Sequence, residues 1–269
     1  MEGNRRVIFM AEHRVIPLWP DAVAPYTEFS GGQDQPSVKE FAVPGARSAM
    51  VICPGGGYHV KVNHEKDNIA AIFEAAGIAA YILDYRVKPC HPETPLCDAL
   101  RAIRVARSLG YEKVGIIGFS AGGHVCCSAA TLYDAGDPEA ADPIERLSAR
   151  PDAFVSAYSV VSFTAFRHQG SLENLLGERK TDAALLNRFS AELNVTRDTP
   201  PGFIWHSRDD ETVPVENSLL LAMALSVKGV PYELHVFPGG CHGAGVASPD
   251  PRAEAWSGMC VTWLKSLGF

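Results

Sequence analysis

Six short apolar runs recur along the chain: "SAMVIC" at 48–53, "IAAYILDY" at 78–85, "KVGIIGF" at 113–119, "PDAFVSAY" at 151–158, "GFIWHS" at 202–207 and "YELHVF" at 232–237. Each is too short for a helix of ordinary length and reads as a strand, and Val114 to Ile117 has the continuous pattern of a fully buried one. Helix-like segments lie among them at 66–76, 96–109, 121–133 and 215–228, and another at 253–267 closes the chain. This alternation predicts an α/β protein, a mostly parallel central sheet with helices on both faces. "SVKEFAV" at 37–43 is expected to add an antiparallel edge strand. The rhythm breaks at 159–201, a polar, proline-bounded segment with short helical candidates near 171–176 and 182–189. Lying between two strands, it is expected to form a small cap over a site. With 46% hydrophobic residues in 269, and neither repeat nor linker, residues 1–269 read as one domain.

Charge narrows the partners. Twenty-four basic residues against 31 acidic give a net charge of −7 without a basic block, so neither nucleic acid nor an anionic membrane surface is expected. The first twenty residues hold no apolar stretch long enough for a signal peptide or membrane span, which suggests a cytoplasmic protein. The cysteine count is odd at seven, with Cys126 and Cys127 adjacent, and this favours reduced thiols. No C-x-x-C or H-x-x-x-H pair stands at metal-ligand spacing, so no metal is expected.

Chemistry enters at "VGIIGFSAGGHVCC", 114–127, where Ser120 has a glycine two residues away on either side. A strand before and a helix after make this a sharp turn that lifts a serine hydroxyl above a sheet edge, with helix N–H groups aimed at the same spot. In a chain with 24 glycines the bare pattern has roughly one chance in ten of arising at random, so it needs company. "CPGGGYH", 53–59, follows the first long apolar run. Three consecutive glycines cost backbone entropy and mark either a flexible turn or a loop that approaches something closely. Following a strand upstream of the serine turn, the loop is expected to bind an oxyanion through the N–H groups of Gly56 and Gly57, joined by that of Ala121. "IWHSRDDETVPVENS" ends a strand in acids, and "HVFPGGCHGAG" ends the last strand in a glycine-rich loop carrying His242. Serine, acid and histidine thus stand in chain order, each past the C-terminal end of an expected strand, the edge where open parallel sheets bind ligands.

The motifs "PGGGY", "LDYRV", "DALRAIRVAR", "GFSAGGH", "SARPD", "TPPGFIWHSRDDETVPVENS" and "GGCHGAG" together resemble the α/β-hydrolase superfamily, and within it the acetyl esterase/lipase group of acetyl-xylan-esterase-like enzymes. The resemblance covers about 48–245. It implies a cofactor-free serine carboxylesterase that cleaves small acyl esters, with acetylated sugars or xylo-oligosaccharides as substrates. It also decides between adjacent acids: the D-x-x-V-P pattern, whose valine is Val213, selects Asp210, leaving Asp209 to face away or cap the turn and Glu211 solvated. Where the family is expected to have proline, this chain has Ser159. Ser120 as nucleophile, His242 as base and Asp210 as its orienting acid form the implied triad.

The remaining candidates receive quieter readings. His124 is expected to pack or hydrogen-bond within the elbow helix, and His59 and His64 to stabilise their loop or touch substrate. Arg86 should pair with a carboxylate, Asp98 should favour a helix N-terminus, and Cys53 and Cys241 should pack tightly beside two site loops. Competing functions are a short-chain lipase, a peptidase on the same fold and a non-catalytic binding protein. The polar insert argues against a long-chain lipase, which would need an apolar lid and acyl tunnel. The lack of room for a propeller domain argues against a prolyl-oligopeptidase-type peptidase, and the complete triad argues against a binding protein.

Overall fold

The computed structural model describes residues 13–246 and 250–269. The reading of the N-terminus falls partly on residues 1–12, outside the described residues. Among the described residues no helix is long and apolar enough to cross a membrane.

Eight strands form one sheet: β1 (Val15–Pro17), β2 (Ser37–Phe41), β3 (Ser48–Cys53), β4 (Ala79–Asp84), β5 (Lys113–Phe119), β6 (Ala153–Ala157), β7 (Gly202–Ser207) and β8 (Tyr232–Phe237). Their spatial order is β1-β2-β4-β3-β5-β6-β7-β8, with β3 to β8 parallel to their neighbours and the β1–β2 and β2–β4 pairs antiparallel. β2 is therefore antiparallel as expected, but it is not the edge. β1 pairs outside it, through a three-residue strand ending in proline that carries no apolar run to announce it.

The helices are α1 (Asp67–Ala75), α2 (Thr94–Ser108), α3 (Ser120–Thr131), α4 (Gln169–Leu176), α5 (Ala183–Arg188), α6 (Glu216–Lys228), α7 (Pro251–Glu254) and α8 (Trp256–Ser266). Side chains of a strand alternate between faces, and the core divides accordingly. Val51, Ile116 and Ile204 pack with Ala102 of α2, Val125 of α3 and Leu221 of α6. Their chain neighbours Ile52, Ile117 and Phe203 pack on the other face with Phe73 of α1 and Trp263 and Leu264 of α8. Continuous apolar runs follow from this two-sided burial.

Arg86, just past β4, is locked to Asp98 on α2. Its Nε and Nη2 donate to the carboxylate at 2.6 to 3.2 Å, its own backbone N–H donates to Asp98 Oδ2 at 2.9 Å, and both side chains are buried. Nη1 donates to the Pro25 carbonyl at 2.7 Å, so the pair ties the N-terminal segment to the sheet. The two residues, expected to act separately, serve as one brace. Arg86→Met alone leaves a buried carboxylate without its partner and should cost about 3–5 kcal/mol in urea unfolding. The double variant with Asp98→Leu should recover much of that loss. A single variant as stable as wild type would contradict the brace.

Candidate active site

β5 passes directly into α3 at Ser120, whose φ of 52° is in the left-handed region. That conformation costs a residue with a Cβ about 1–2 kcal/mol. The flanking glycines make the turn possible. A Cβ on Gly118 would sit 2.1 Å from the Gly122 carbonyl oxygen, and one on Gly122 would sit 2.1 Å from that of Cys53. The elbow is thus pressed against the end of β3, where the glycine loop begins.

His242 Nε2 lies 2.8 Å from Ser120 Oγ, and its Nδ1 lies 2.7 Å from Asp210 Oδ2. The carboxylate is surrounded by donors: Thr212 and Val213 N–H reach Oδ1 at 2.9 Å each, and His206 Nε2 stands 3.3 Å from Oδ2. His206 Nδ1 meets the Ser218 hydroxyl and its Nε2 donates to the Val213 carbonyl, which fixes that ring. Burial alone would raise the Asp210 pKa, yet the hydrogen bonds from His206, His242 and Val213 hold it well below the usual carboxylate range. An ionised Asp210 accepts the Nδ1 proton of His242, leaving Nε2 as an acceptor for the Ser120 hydroxyl. Asp209 is exposed and pairs with Arg208 at 2.6 Å, and Glu211 is exposed as well.

In the glycine loop, Gly56 has φ 131°, and a Cβ there would meet the Val60 carbonyl oxygen at 2.1 Å. Gly55 N–H is committed to Glu65 Oε2 at 2.6 Å. The N–H groups of Gly56 and Gly57 have no acceptor among the described residues, and Ala121 N–H belongs to the open first turn of α3. Gly56 and Gly57 line a cleft of about 250 Å³ together with Ser120 and His242. Val62, His64, Glu65, His168 and Thr212 complete most of its wall.

Glu65 is buried and was not visible as a site residue in the polar run "VNHEKDN". Besides Gly55 it accepts from the Tyr158 hydroxyl at 2.6 Å, and that hydroxyl accepts from Gly245 N–H at 3.0 Å. Gly245 O in turn accepts from Trp256 Nε1 at 2.9 Å. One buried chain therefore links the glycine loop, the end of β6 and the loop that carries His242, while the Tyr158 ring stands edge-on to His242 at 5.2 Å. Burial raises the Glu65 pKa despite these donors. No periodicity marks such a residue; its role depends on three loops converging.

His124 is fully buried, with Tyr58 Oη 2.6 Å from Nδ1 and the Phe189 carbonyl 2.7 Å from Nε2, and desolvation lowers its pKa to about 4. It joins the elbow helix to the 159–201 segment as a neutral strut. His59 is exposed, whereas His64 lines the cleft and packs against the turn at Gly245. Cys53 is buried and its pKa is raised by desolvation, but Cys241 is exposed, so the expected tight packing fails there: the glycine-rich turn carries it outward. The described cysteines are all free thiols. Ser159, in place of the expected proline, is buried, accepts from the Ser156 hydroxyl at 2.8 Å and packs on Gly123. Within the 159–201 segment, α4 sits beside the glycine loop. Asn174 Nδ2 donates to the Gly57 carbonyl at 2.7 Å, and Lys88 Nζ holds Asn174 Oδ1 at 2.7 Å.

An eight-stranded sheet in this order, with serine, acid and histidine following β5, β7 and β8, defines the α/β-hydrolase class. The chain belongs to the BD-FAE family, whose match spans residues 42–225 and so includes Ser120 and Asp210. It is 40% identical over 226 residues to endo-1,4-beta-xylanase B of Butyrivibrio fibrisolvens, covering 79% of this chain and 34% of that protein. It is 30% identical over 231 residues to an acetylxylan esterase of Xylanibacter ruminicola, covering 81% and 45%. The chain thus spans about a third and under half of these curated relatives. The crystal structure of an acetyl ester-xyloside bifunctional hydrolase from Caldicellulosiruptor lactoaceticus is similar at a TM-score of 0.90 and 40% identity, covering 96% of this chain and 97% of that one.

Proposed function

We propose that this chain is a serine carboxylesterase that removes small acyl groups, acetyl above all, from acetylated sugars such as xylo-oligosaccharides. The observation that carries the reading is the unbroken path from Asp210 through His242 to Ser120, at 2.7 and 2.8 Å, opening on a cleft with free backbone N–H groups. The substrate class follows the relatives, two of which are named for acetylxylan or acetyl ester–xyloside hydrolysis.

In this reading His242 Nε2 takes the Ser120 proton as Oγ attacks the ester carbonyl. The oxyanion forms against the N–H groups of Gly56, Gly57 and Ala121, which are fixed before the charge develops. Protonated His242 then gives its proton to the leaving sugar oxygen, and the acyl-enzyme remains. Water, deprotonated by the same nitrogen, attacks the acyl carbonyl; the bond to Oγ then breaks, His242 returns the proton to Ser120, and acetate leaves. Asp210 holds the imidazole tautomer through both halves. Residues 159–201 act as a cap on the alcohol side.

A cleft of about 250 Å³ falls below the ordinary range of roughly 300–1,000 Å³ for ligand pockets, and it must hold parts of both acyl and alcohol groups. Added methylenes soon meet the wall, at an overpacking cost of about 1–3 kcal/mol. In a series of p-nitrophenyl esters from acetate to decanoate, acetate and propionate should be the best substrates and butyrate weaker, with chains of eight or more carbons nearly inert. A maximum at octanoate or beyond would overturn the small-acyl reading and favour a lipase.

A further inference from the structure

The ring of His168 lines the cleft alongside Ser120, His242 and Thr212, and one of its nitrogens is already spoken for. His168 is the N-cap of α4. Its Nδ1 accepts Ser171 N–H at 3.3 Å and lies 2.8 Å from Ser171 Oγ. A backbone N–H can only donate, so Nδ1 carries the lone pair and the ring proton resides on Nε2. Nε2 has no partner among the described residues. Burial, followed by the proximity of His242, lowers the His168 pKa and keeps the ring neutral, with this tautomer intact. Capping by itself does not explain the choice of residue, since Ser, Asp and Asn cap better than other side chains.

Two residues earlier the backbone is strained. Phe166 has φ 48° and is 52% exposed, which is unusual for a bulky side chain. Its carbonyl is held by Asn217 Nδ2 at 2.8 Å, and Asn217 is fully buried, with Oδ1 accepting Val161 and Ser162 N–H. The turn is thus clamped from the start of α6, close behind the Asp210 loop. A fixed neutral donor on the cleft wall, carried by a turn whose backbone is clamped, suits a sugar, which offers hydroxyl and ring oxygens as acceptors.

We infer that His168 is a substrate-binding residue on the alcohol side, donating from Nε2–H to an oxygen of the sugar whose acetyl ester lies at Ser120. This deepens the esterase reading and rests on it. The hydrogen bond forms with the sugar and is absent with a leaving group that lacks such oxygens, so it acts on selectivity. One neutral hydrogen bond of this kind corresponds to about tenfold in affinity.

The test compares wild type, His168→Asn and His168→Ala on chemically acetylated xylobiose and on p-nitrophenyl acetate. Asparagine retains the α4 cap through its side-chain oxygen but removes the donor at the Nε2 position. His168→Asn should keep the melting temperature and raise KM for acetylated xylobiose about tenfold with kcat within about threefold. Its loss on p-nitrophenyl acetate should be several-fold smaller. His168→Ala should show the same split with a lower melting temperature. Wild-type kinetics for His168→Asn on the sugar, or equal losses on both substrates, would overturn the inference and leave a capping role. A wild type inactive on p-nitrophenyl acetate would instead sink the esterase reading. Activity on the aryl ester without any on the acetylated sugar would remove the substrate class and His168's role with it.

Discussion

Replacing Ser120 with alanine is expected to lower kcat on p-nitrophenyl acetate by about 10⁴ to 10⁶ while leaving the protein folded. The size of the loss follows from the proposed covalent role, in which without Oγ no acyl-enzyme forms and His242 has no proton to take. The fold survives because, among the described residues, the hydroxyl's one side-chain partner is His242 at 2.8 Å, and the strain at φ 52° is borne by alanine as by serine. The backbone donors of the glycine loop and α3 stay in place, so a residual rate above water should persist. Circular dichroism and thermal unfolding check the fold, and steady-state rates check the loss. A variant within tenfold of wild type would move the nucleophile elsewhere.

Asp210→Asn should cost about 10⁴ in kcat, and Asp209→Asn far less. Both oxygens of Asp210 face donors, with Thr212 and Val213 N–H on one side and the His242 and His206 rings on the other. An asparagine satisfies the two backbone groups with its oxygen and turns its NH₂ towards His242. Nδ1 must then accept, the proton moves to Nε2, and the nitrogen facing Ser120 can no longer take its proton. Asp209 loses only an exposed pair with Arg208. A pH effect on stability accompanies this. Because the Asp210 pKa is lowered in the folded state, its stabilisation is complete above the ordinary aspartate value near pH 4 and fades as pH falls below it. The gap in melting temperature between wild type and Asp210→Asn should therefore be steady from pH 6 to 8 and narrow below about pH 4. Reversed kinetic effects of the two variants would mean that Asp209 is the acid.

What the sequence makes legible depends on how local the cause is. The parallel core announces itself because strands buried on two faces must be continuously apolar, as in "KVGIIGF". Ser120 is visible because a left-handed turn pressed on the end of β3 needs glycine at 118 and 122. His242 and the acids stand out only in relation to strand ends, and the sequence pattern alone separates Asp210 from Asp209 through a family resemblance rather than through chemistry. β1 escapes because three residues paired to β2 leave no periodic trace. Glu65 and His168 escape for another reason: both lie in polar runs that read as solvated, and both acquire their contacts from loops distant in sequence. Glu65 meets Tyr158 across 93 residues, and the cleft wall that includes His168 also includes Gly56 and His242. The outward placement of Cys241 is equally non-local, set by a turn whose path no side-chain pattern encodes.

The most direct measurement is covalent labelling. Wild type, Ser120→Ala and His242→Ala are each incubated with a fluorophosphonate, and the adduct is mapped by peptide mass spectrometry alongside acetate release from p-nitrophenyl acetate. A single adduct on Ser120 is expected in wild type, with acetate release lost as labelling proceeds. No adduct should form in Ser120→Ala, and labelling should be greatly slowed in His242→Ala. An adduct on another residue, or undiminished acetate release from Ser120→Ala, would contradict Ser120 as the nucleophile.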